Sequence, residues 1–213
     1  MILVMPRDLR RRRRTPEVAR TELLDAAERV FAKSSPEQVG LKEVAKAAGT
    51  SHGLITHYFG TYDGLVAATL QRRTTALRER IFVALQTPGI LSRPDELVDM
   101  VFAAFDDPVH VRLMQYMLAG ERVGTTHAFA LENQGVAQVA ARIVEATRPD
   151  ASPAVRHAIE VALMLAVAAA FGYAATRHSL AGAVGRPVSA ELDREARHTL
   201  AQMVHRYIMT VEA

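Results

Sequence analysis

The segment LKEVAKAAGTSHGLITHYFG, Leu41 to Gly60, constrains the fold more than any other part of this chain. Leu41, Val44, Ala45 and Ala48 recur at helical spacing and stop at Gly49, a residue suited to a left-handed cap. Ser51 can cap a second short helix, whose bulky members are Leu54, Ile55, Tyr58 and Phe59 and which Gly60 ends. Ala45, Ala47 and Ala48 are small enough for two such helices to pack closely across a sharp turn. A short helix held this way can enter a major groove and present its N-terminal residues to base edges. An ordinary corner between two helices has the same spacing, so the pattern alone leaves both readings open.

The rest of the chain also reads as helix. Thr15 can cap and Pro16 suits a first turn, after which Leu23, Leu24, Ala27, Val30 and Phe31 recur at helical spacing. Ser34-Ser35-Pro36 interrupts that run, and Thr61 can cap a longer helix from about Tyr62 to Leu85. Breakers at Thr87-Pro88-Gly89, Asp106-Asp107-Pro108, Gly120 to Gly124, Arg148-Pro149 and Gly185-Arg186-Pro187 separate further segments near 94–105, 108–121, 127–147, 153–180 and 189–211. No alternating strand pattern and no internal repeat is present. The expected fold is all-α, about nine helices, with a three-helix helix-turn-helix domain leading a larger helical domain. The boundaries fall at 1–14 for a basic arm, 15–65 for the helix-turn-helix, and 66–213 for the remainder.

Charge is unevenly placed. Residues 1–14 hold six arginines and one acid, a local excess of +5, whereas residues 15–64 hold five bases and seven acids, an excess of −2. From residue 65 onward fifteen bases balance fifteen acids. The arm is either a solvated tail or a polyanion-binding segment beside a folded reader. The absence of cysteine rules out disulfides and Cys-metal sites and fits a cytoplasmic protein. The leading MILVMPRD does not resemble a signal peptide. The apolar run Val161 to Ala175 falls short of the ~18 residues a membrane span needs, so a buried helix and no membrane partner are expected.

LLDAAERVF (23–31), LKEVAKAAGTSHGLITHYF (41–59) and GTYDGL (60–65) resemble the DNA-binding region of the tetracycline-repressor (TetR) family of bacterial regulators. The resemblance covers roughly residues 16–65. It implies a helical C-terminal domain, a homodimer formed through the last two long helices, double-stranded operator DNA as partner and a pocket for a small-molecule effector. The family's groove-facing positions fall on His52, Gly53, Leu54, Thr56 and His57, and its phosphate-contacting aromatic on Tyr58. Ser51, Thr61 and Tyr62 flank that helix and complete the DNA-facing set, Tyr62 standing where many members have a lysine. Gly40 stands where a Ser or Thr often precedes helix 2. With the helix-turn-helix net negative, the electrostatic share of DNA affinity is expected from the arm, Arg10, Arg11, Arg12, Arg13 and Arg14. Those arginines could lie along phosphates or enter a minor groove. Thr56 offers a methyl and a hydroxyl, and each histidine a donor or acceptor, although a solvated surface histidine is the plainer alternative.

Beyond residue 70 the chain carries no motif. The 153–180 segment is apolar nearly all round, and a helix without a polar face must be covered on several sides. Ala162, Ala166 and Ala169 there, with Leu200, Met203, Val204 and Tyr207 on the final helix, suit a two-fold four-helix interface; a purely intramolecular core is the alternative. Met100, Phe105, Met114, Met117, Phe129, Met164, Phe171 and Tyr173 are candidates to line an effector pocket for a largely apolar molecule, though such residues are often simply core. His110, Gln115, Tyr116, Asn133 and Gln134 are the polar candidates.

An enzyme reading finds little support. Glu195-x-x-His198 has the spacing of a helical di-iron ligand pair, but that chemistry needs a second such pair and two more inward glutamates. No phosphate-binding glycine loop or nucleophile elbow occurs, and no cofactor is expected. The function expected is a homodimeric transcriptional regulator, a repressor, that binds a palindromic operator and is released by a small apolar effector. An activator, or a helical ligand-binding protein without DNA-linked release, is the alternative.

Overall fold

The computed structural model describes residues 15–122 and 135–212. Within them the chain forms α1 (Pro16–Phe31), α2 (Leu41–Ala48), α3 (His52–Phe59), α4 (Tyr62–Leu85), α5 (Pro94–Phe105), α6 (Pro108–Arg122), α7 (Gly135–Thr147), α8 (Pro153–Ala183) and α9 (Ala190–Thr210), with 3-10 turns at Pro36–Gln38 and Ile90–Ser92. No strand occurs among the described residues. The starts follow local chemistry. Thr15 Oγ1 accepts from the Val18 amide, Ser152 Oγ from Val155 and Ser189 Oγ from Leu192, each satisfying a donor the first turn leaves open. The segment expected over 127–147 is described from Gly135 onward.

The main core begins in α1 with Leu23, Leu24, Ala27 and Phe31, takes in Val44, Ile55, Leu65 and Val66, and continues into Phe102, Phe105, Leu113 and Met117. The first three helices and α5–α6 therefore share one apolar interior, so a shift of α6 is felt at α1 and α4. A smaller core gathers Ile143, Val144, Val155, Ile159 and Ile208 at the far end, where α7, α8 and α9 meet.

The expectation for Val161–Ala175 is corrected. The helix runs on through Thr176-Arg177-His178 to Ala183, 31 residues in all, because no proline or glycine pair stops it. It contains an 18-residue window of mean hydropathy 1.9, long and apolar enough to cross a membrane, and only 11% of that window is buried. The apolar girdle foreseen for this helix is real, but its own chain covers one side of it.

Candidate nucleic-acid interface

Gly49 sits at φ 64°, ψ 36°, and its amide caps α2 by reaching back to the Ala45 and Lys46 carbonyls. Ser51 Oγ then accepts from the Leu54 amide at 3.3 Å and starts α3. Ile55 is fully buried and fastens α3 to the core, which leaves His52, Gly53, Leu54, Thr56 and His57 together on the exposed face. At the other end Thr61 Oγ1 accepts from the Gly64 amide at 3.0 Å. A Cβ on Gly64 would stand 2.1 Å from the Phe59 carbonyl oxygen, so only glycine lets α4 start this close to the end of α3. The Asp-Gly-Leu that follows α3 thus has a steric reason that periodicity did not reveal.

The exposed face is polar without being cationic. Thr56 Oγ1 donates to the His52 carbonyl at 3.1 Å, so it turns its methyl group and oxygen lone pairs outward. The His57 ring stands edge-on to Tyr58 at 5.3 Å, and Tyr58 is half-buried. Cations brace this unit from behind. The Arg20 guanidinium lies 5.3 Å from the centre of the Phe59 ring, and Arg29 donates to the Ala47 carbonyl at 3.3 Å. Arg72 pairs with Asp25 and Glu28, both at 2.7 Å, clamping α4 to α1.

An open crevice of about 500 Å³ lies at the front, lined by Gly40, Leu41, Lys42, Glu43, His52 and Tyr62. It brings His52 beside Lys42, an exposed cation in the first turn of α2 that the sequence reading passed over. The missed signal was its position two residues after the Gly40 cap. That cap is backbone only, and Glu43 accepts from the Gly40 amide at 2.9 Å.

Tyr62, which also lines this crevice, is tied by its hydroxyl. Its hydroxyl donates to the Pro36 carbonyl at 2.8 Å, and its ring packs edge-on against Phe31 and Tyr116. Burial, helped by the neighbouring phenol of Tyr116, holds its own phenol above the ordinary range. Tyr62 thus lines the crevice beside His52 with its proton committed to Pro36, and Ser51 and Thr61 spend their hydroxyl oxygens as helix caps. The arginine arm, Arg10 to Arg14, lies outside the described residues.

The residues proposed for an effector pocket are scattered. Met114 and Met117 are buried in the main core, and Phe171 packs at its edge against Phe105 at 5.7 Å. Met100 is half-buried, and Phe129 lies outside the described residues, as do Asn133 and Gln134. Met164 is 53% exposed in the single chain, on the side of α8 that this chain leaves uncovered. Phe105 and Tyr173 do share a cleft, of about 380 Å³, which also exposes Gln115. What the sequence reading missed is its charge. Arg112, Arg177 and Arg197 line it with Asp106 and Asp193, brought from α5, α6, α8 and α9. Tyr173 donates to Asp193 at 2.8 Å, and its phenol is pushed up to about 12, chiefly by burial and then by that carboxylate. His110, another polar candidate, is buried against Phe105, and its pKa falls to about 4 through burial and the charge of Arg73.

The residues proposed for dimerisation divide in two. Met203 (64% exposed), Tyr207 (46%) and Ala169 lie open with Met164 and Leu165. Leu200 and Val204 turn partly inward against the two cores, while Ala162 and Ala166 are half-buried. Glu195 and His198 part company: Glu195 pairs with Arg186 and His198 with Asp95, each at 2.8 Å.

Residues 23–69 match the family described as bacterial regulatory proteins, tetR family. Over 72 residues, 34% of this chain and 36% of the relative, the chain is 41% identical to an uncharacterized HTH-type transcriptional regulator of Mycobacterium tuberculosis. Over 102 residues, 47% of this chain and 50% of the relative, it is 30% identical to the HTH-type transcriptional regulator BetI of Cronobacter sakazakii. The matched region thus spans half or less of these relatives. Among solved structures, a tetR-family transcriptional regulator from Streptomyces coelicolor superposes with a TM-score of 0.57 at 22% identity, over 92% of this chain and 90% of that one, a likeness of fold.

Proposed function

We propose, from the premise that this chain belongs to the TetR family of bacterial regulatory proteins, that it acts in the cytoplasm as a homodimeric repressor. It is a helix-turn-helix transcriptional regulator and not an enzyme. In this reading residues 15–65 hold the operator, 66–213 bind an effector and a second copy, and the arm 1–14 supplies attraction for phosphates. The observation that carries it is the exposed face of α3, with His52, Thr56 and His57 free of the core that Ile55 grips. Thr56 and His57 read bases, Tyr58 positions the helix on the backbone, and Lys42 adds the cation that Tyr62 does not. Two copies related by a two-fold axis select an inverted repeat, its half-sites about 34–36 Å apart or a multiple of that.

The shared core supports a route for small-molecule release. An effector that favours a different pose of α6 moves α1 and α4 with it, and to swing a 99:1 population to 1:99 it must prefer the released form by about 5.5 kcal/mol. The experiment is selection of bound duplexes from a random pool. An inverted repeat is the expected product, and an asymmetric site or no enrichment overturns the reading. Removing residues 1–14 should shallow the slope of log K against log salt by about 0.9 for each phosphate that the arm neutralises. An unchanged slope makes the arm a solvated tail.

A further inference from the structure

We propose that the cleft between α5, α6, α8 and α9 binds a small amphipathic carboxylate, and that Arg112 transmits its occupancy to the end of α1. The proposal rests on the effector-release reading above and gives that effector a chemical class, in place of the largely apolar molecule expected from sequence.

Two of the three cleft arginines are already neutralised. Arg177 pairs with Asp193 at 3.2 Å. Arg197 pairs with Asp106 at 2.8 Å and Asp99 at 3.7 Å, and lies over the Phe102 ring at 5.0 Å. Arg112 makes no ion pair among the described residues. Its Nη1 donates to the carbonyls of Phe31 and Ala32, at 3.2 and 3.3 Å. Those are the last residue and the C-cap of α1, whose carbonyls have no intrahelical partner. One nitrogen thus serves two long bonds, while the guanidinium carries five N–H donors in a planar fork that fits a carboxylate.

Arg112 is therefore the cleft arginine without a carboxylate partner among the described residues, and it stands beside apolar surface from Phe105 and Tyr173. Its volume, about 380 Å³, lies at the small end of ligand-binding cavities. A carboxylate is a stronger acceptor than a peptide carbonyl, so an anion in the cleft competes with α1 for Arg112. Drawing Arg112 away frees the end of α1 and loosens α6 from the helix-turn-helix. Coupling is reciprocal, so operator DNA must weaken the ligand by the factor that the ligand weakens DNA.

The test uses three acids with their neutral amides: 2-naphthoate, 4-phenylbutyrate and octanoate. Each is titrated calorimetrically into the full-length wild type, Arg112→Gln and Arg142→Gln. At least one acid should bind wild type about 10-fold to 100-fold more tightly than its amide. Arg112→Gln should erase that preference while leaving amide affinity unchanged, which also shows that the variant is folded. Arg142→Gln, which removes an exposed cation on α7 outside the cleft, should keep the preference. The same acid should release the selected operator from wild type, whereas Arg112→Gln, which lacks the tie to α1, should bind operator more weakly without acid and not respond to it. Equal binding of acid and amide in all three pairs, equal losses of both in Arg112→Gln, or loss of the preference in Arg142→Gln overturns the assignment. A neutral compound that releases operator while no acid is preferred sinks the carboxylate and leaves effector release standing. An acid held by Arg112 that never changes operator affinity instead sinks the release reading and the relay through α1.

Discussion

Tyr116, midway along α6, donates its hydroxyl hydrogen to Asp63 Oδ1 in the first turn of α4 at 2.6 Å. The Tyr116 ring stands edge-on to that of Tyr62 at 6.1 Å, and Tyr62 in turn donates to Pro36. Burial, reinforced by Asp63, keeps the Tyr116 phenol above its usual range. A second tie lies deeper, where Arg73 on α4 bonds both Glu28 on α1 and Asp107 at the start of α6. Through these contacts α6 is fixed to the segment that leaves the recognition helix.

Tyr116→Phe keeps the ring packing and removes only the hydrogen bond to a charged acceptor. It should lower unfolding free energy by about 1–3 kcal/mol, read from urea melts with an unchanged denaturant slope. An unmoved midpoint would mean that α6 is not held at Asp63 in solution.

The orientation of Thr56 makes a sharper prediction than its residue type. Its hydroxyl hydrogen is spent on the His52 carbonyl, so its outward group is chiefly the methyl. If that methyl meets a thymine methyl, Thr56→Val should bind the selected operator within a few-fold of wild type. Thr56→Ser should lose about 1 kcal/mol or more and relax the preference at one base pair per half-site. The reverse ranking would assign Thr56 to a polar contact through its oxygen. His57→Ala, by comparison, should cost about 1–3 kcal/mol at the cognate site.

Much of this architecture is legible in the residues because its signals are local. Thr15, Ser51, Thr61, Ser152 and Ser189 all cap the helices they precede, and Gly49 takes the left-handed conformation its position requires. The chemistry of the cleft was not legible, for a physical reason. Arg112, Arg177 and Arg197 come from three helices far apart in sequence, and periodicity places each on a polar face without saying which faces meet. The tie of Tyr62 was not legible for a similar reason, since a half-exposed phenol next to the recognition helix looks free until Pro36 is seen across from it. The helix expected over 153–180 runs to Ala183, but its exposure was not legible, because apolar composition does not say which side the chain's own helices cover.

His110 predicts a pH dependence of stability. Its folded pKa of about 4 lies below the ordinary 6.5, because burial and Arg73 disfavour the charged ring. In the unfolded chain the ring takes up a proton below about pH 6.5, while in the folded chain it stays neutral until about pH 4. The stability it contributes is therefore present above 6.5 and lost as pH falls towards 4, at up to ~1.4 kcal/mol per pH unit. Subtracting the pH profile of His110→Gln from that of wild type isolates this group from the carboxylates. A flat difference between pH 6.5 and 4 would show that the ring is solvated.

The uncovered side of α8 and α9 carries the last prediction. Met164, Leu165, Met203 and Tyr207 are each about half or more exposed in a single chain, and they extend along two adjacent helices. A contiguous apolar patch of this kind marks an interaction surface in a folded protein. A second copy related by a two-fold axis would bring each patch against itself, burying Met203 near its own symmetry mate. Met203→Glu should then cost the isolated chain little, because the side chain is 64% exposed, yet place like charges together in the dimer. Sedimentation should show wild type as a dimer at micromolar concentration and Met203→Glu as a monomer, with operator affinity falling because two half-sites are no longer held together. Val83→Glu, equally exposed but on α4, is the control and should stay dimeric. Wild-type chains that sediment as monomers and float with lipid vesicles would instead assign the apolar length of α8 to a membrane, and the two-fold operator reading would fall with the dimer.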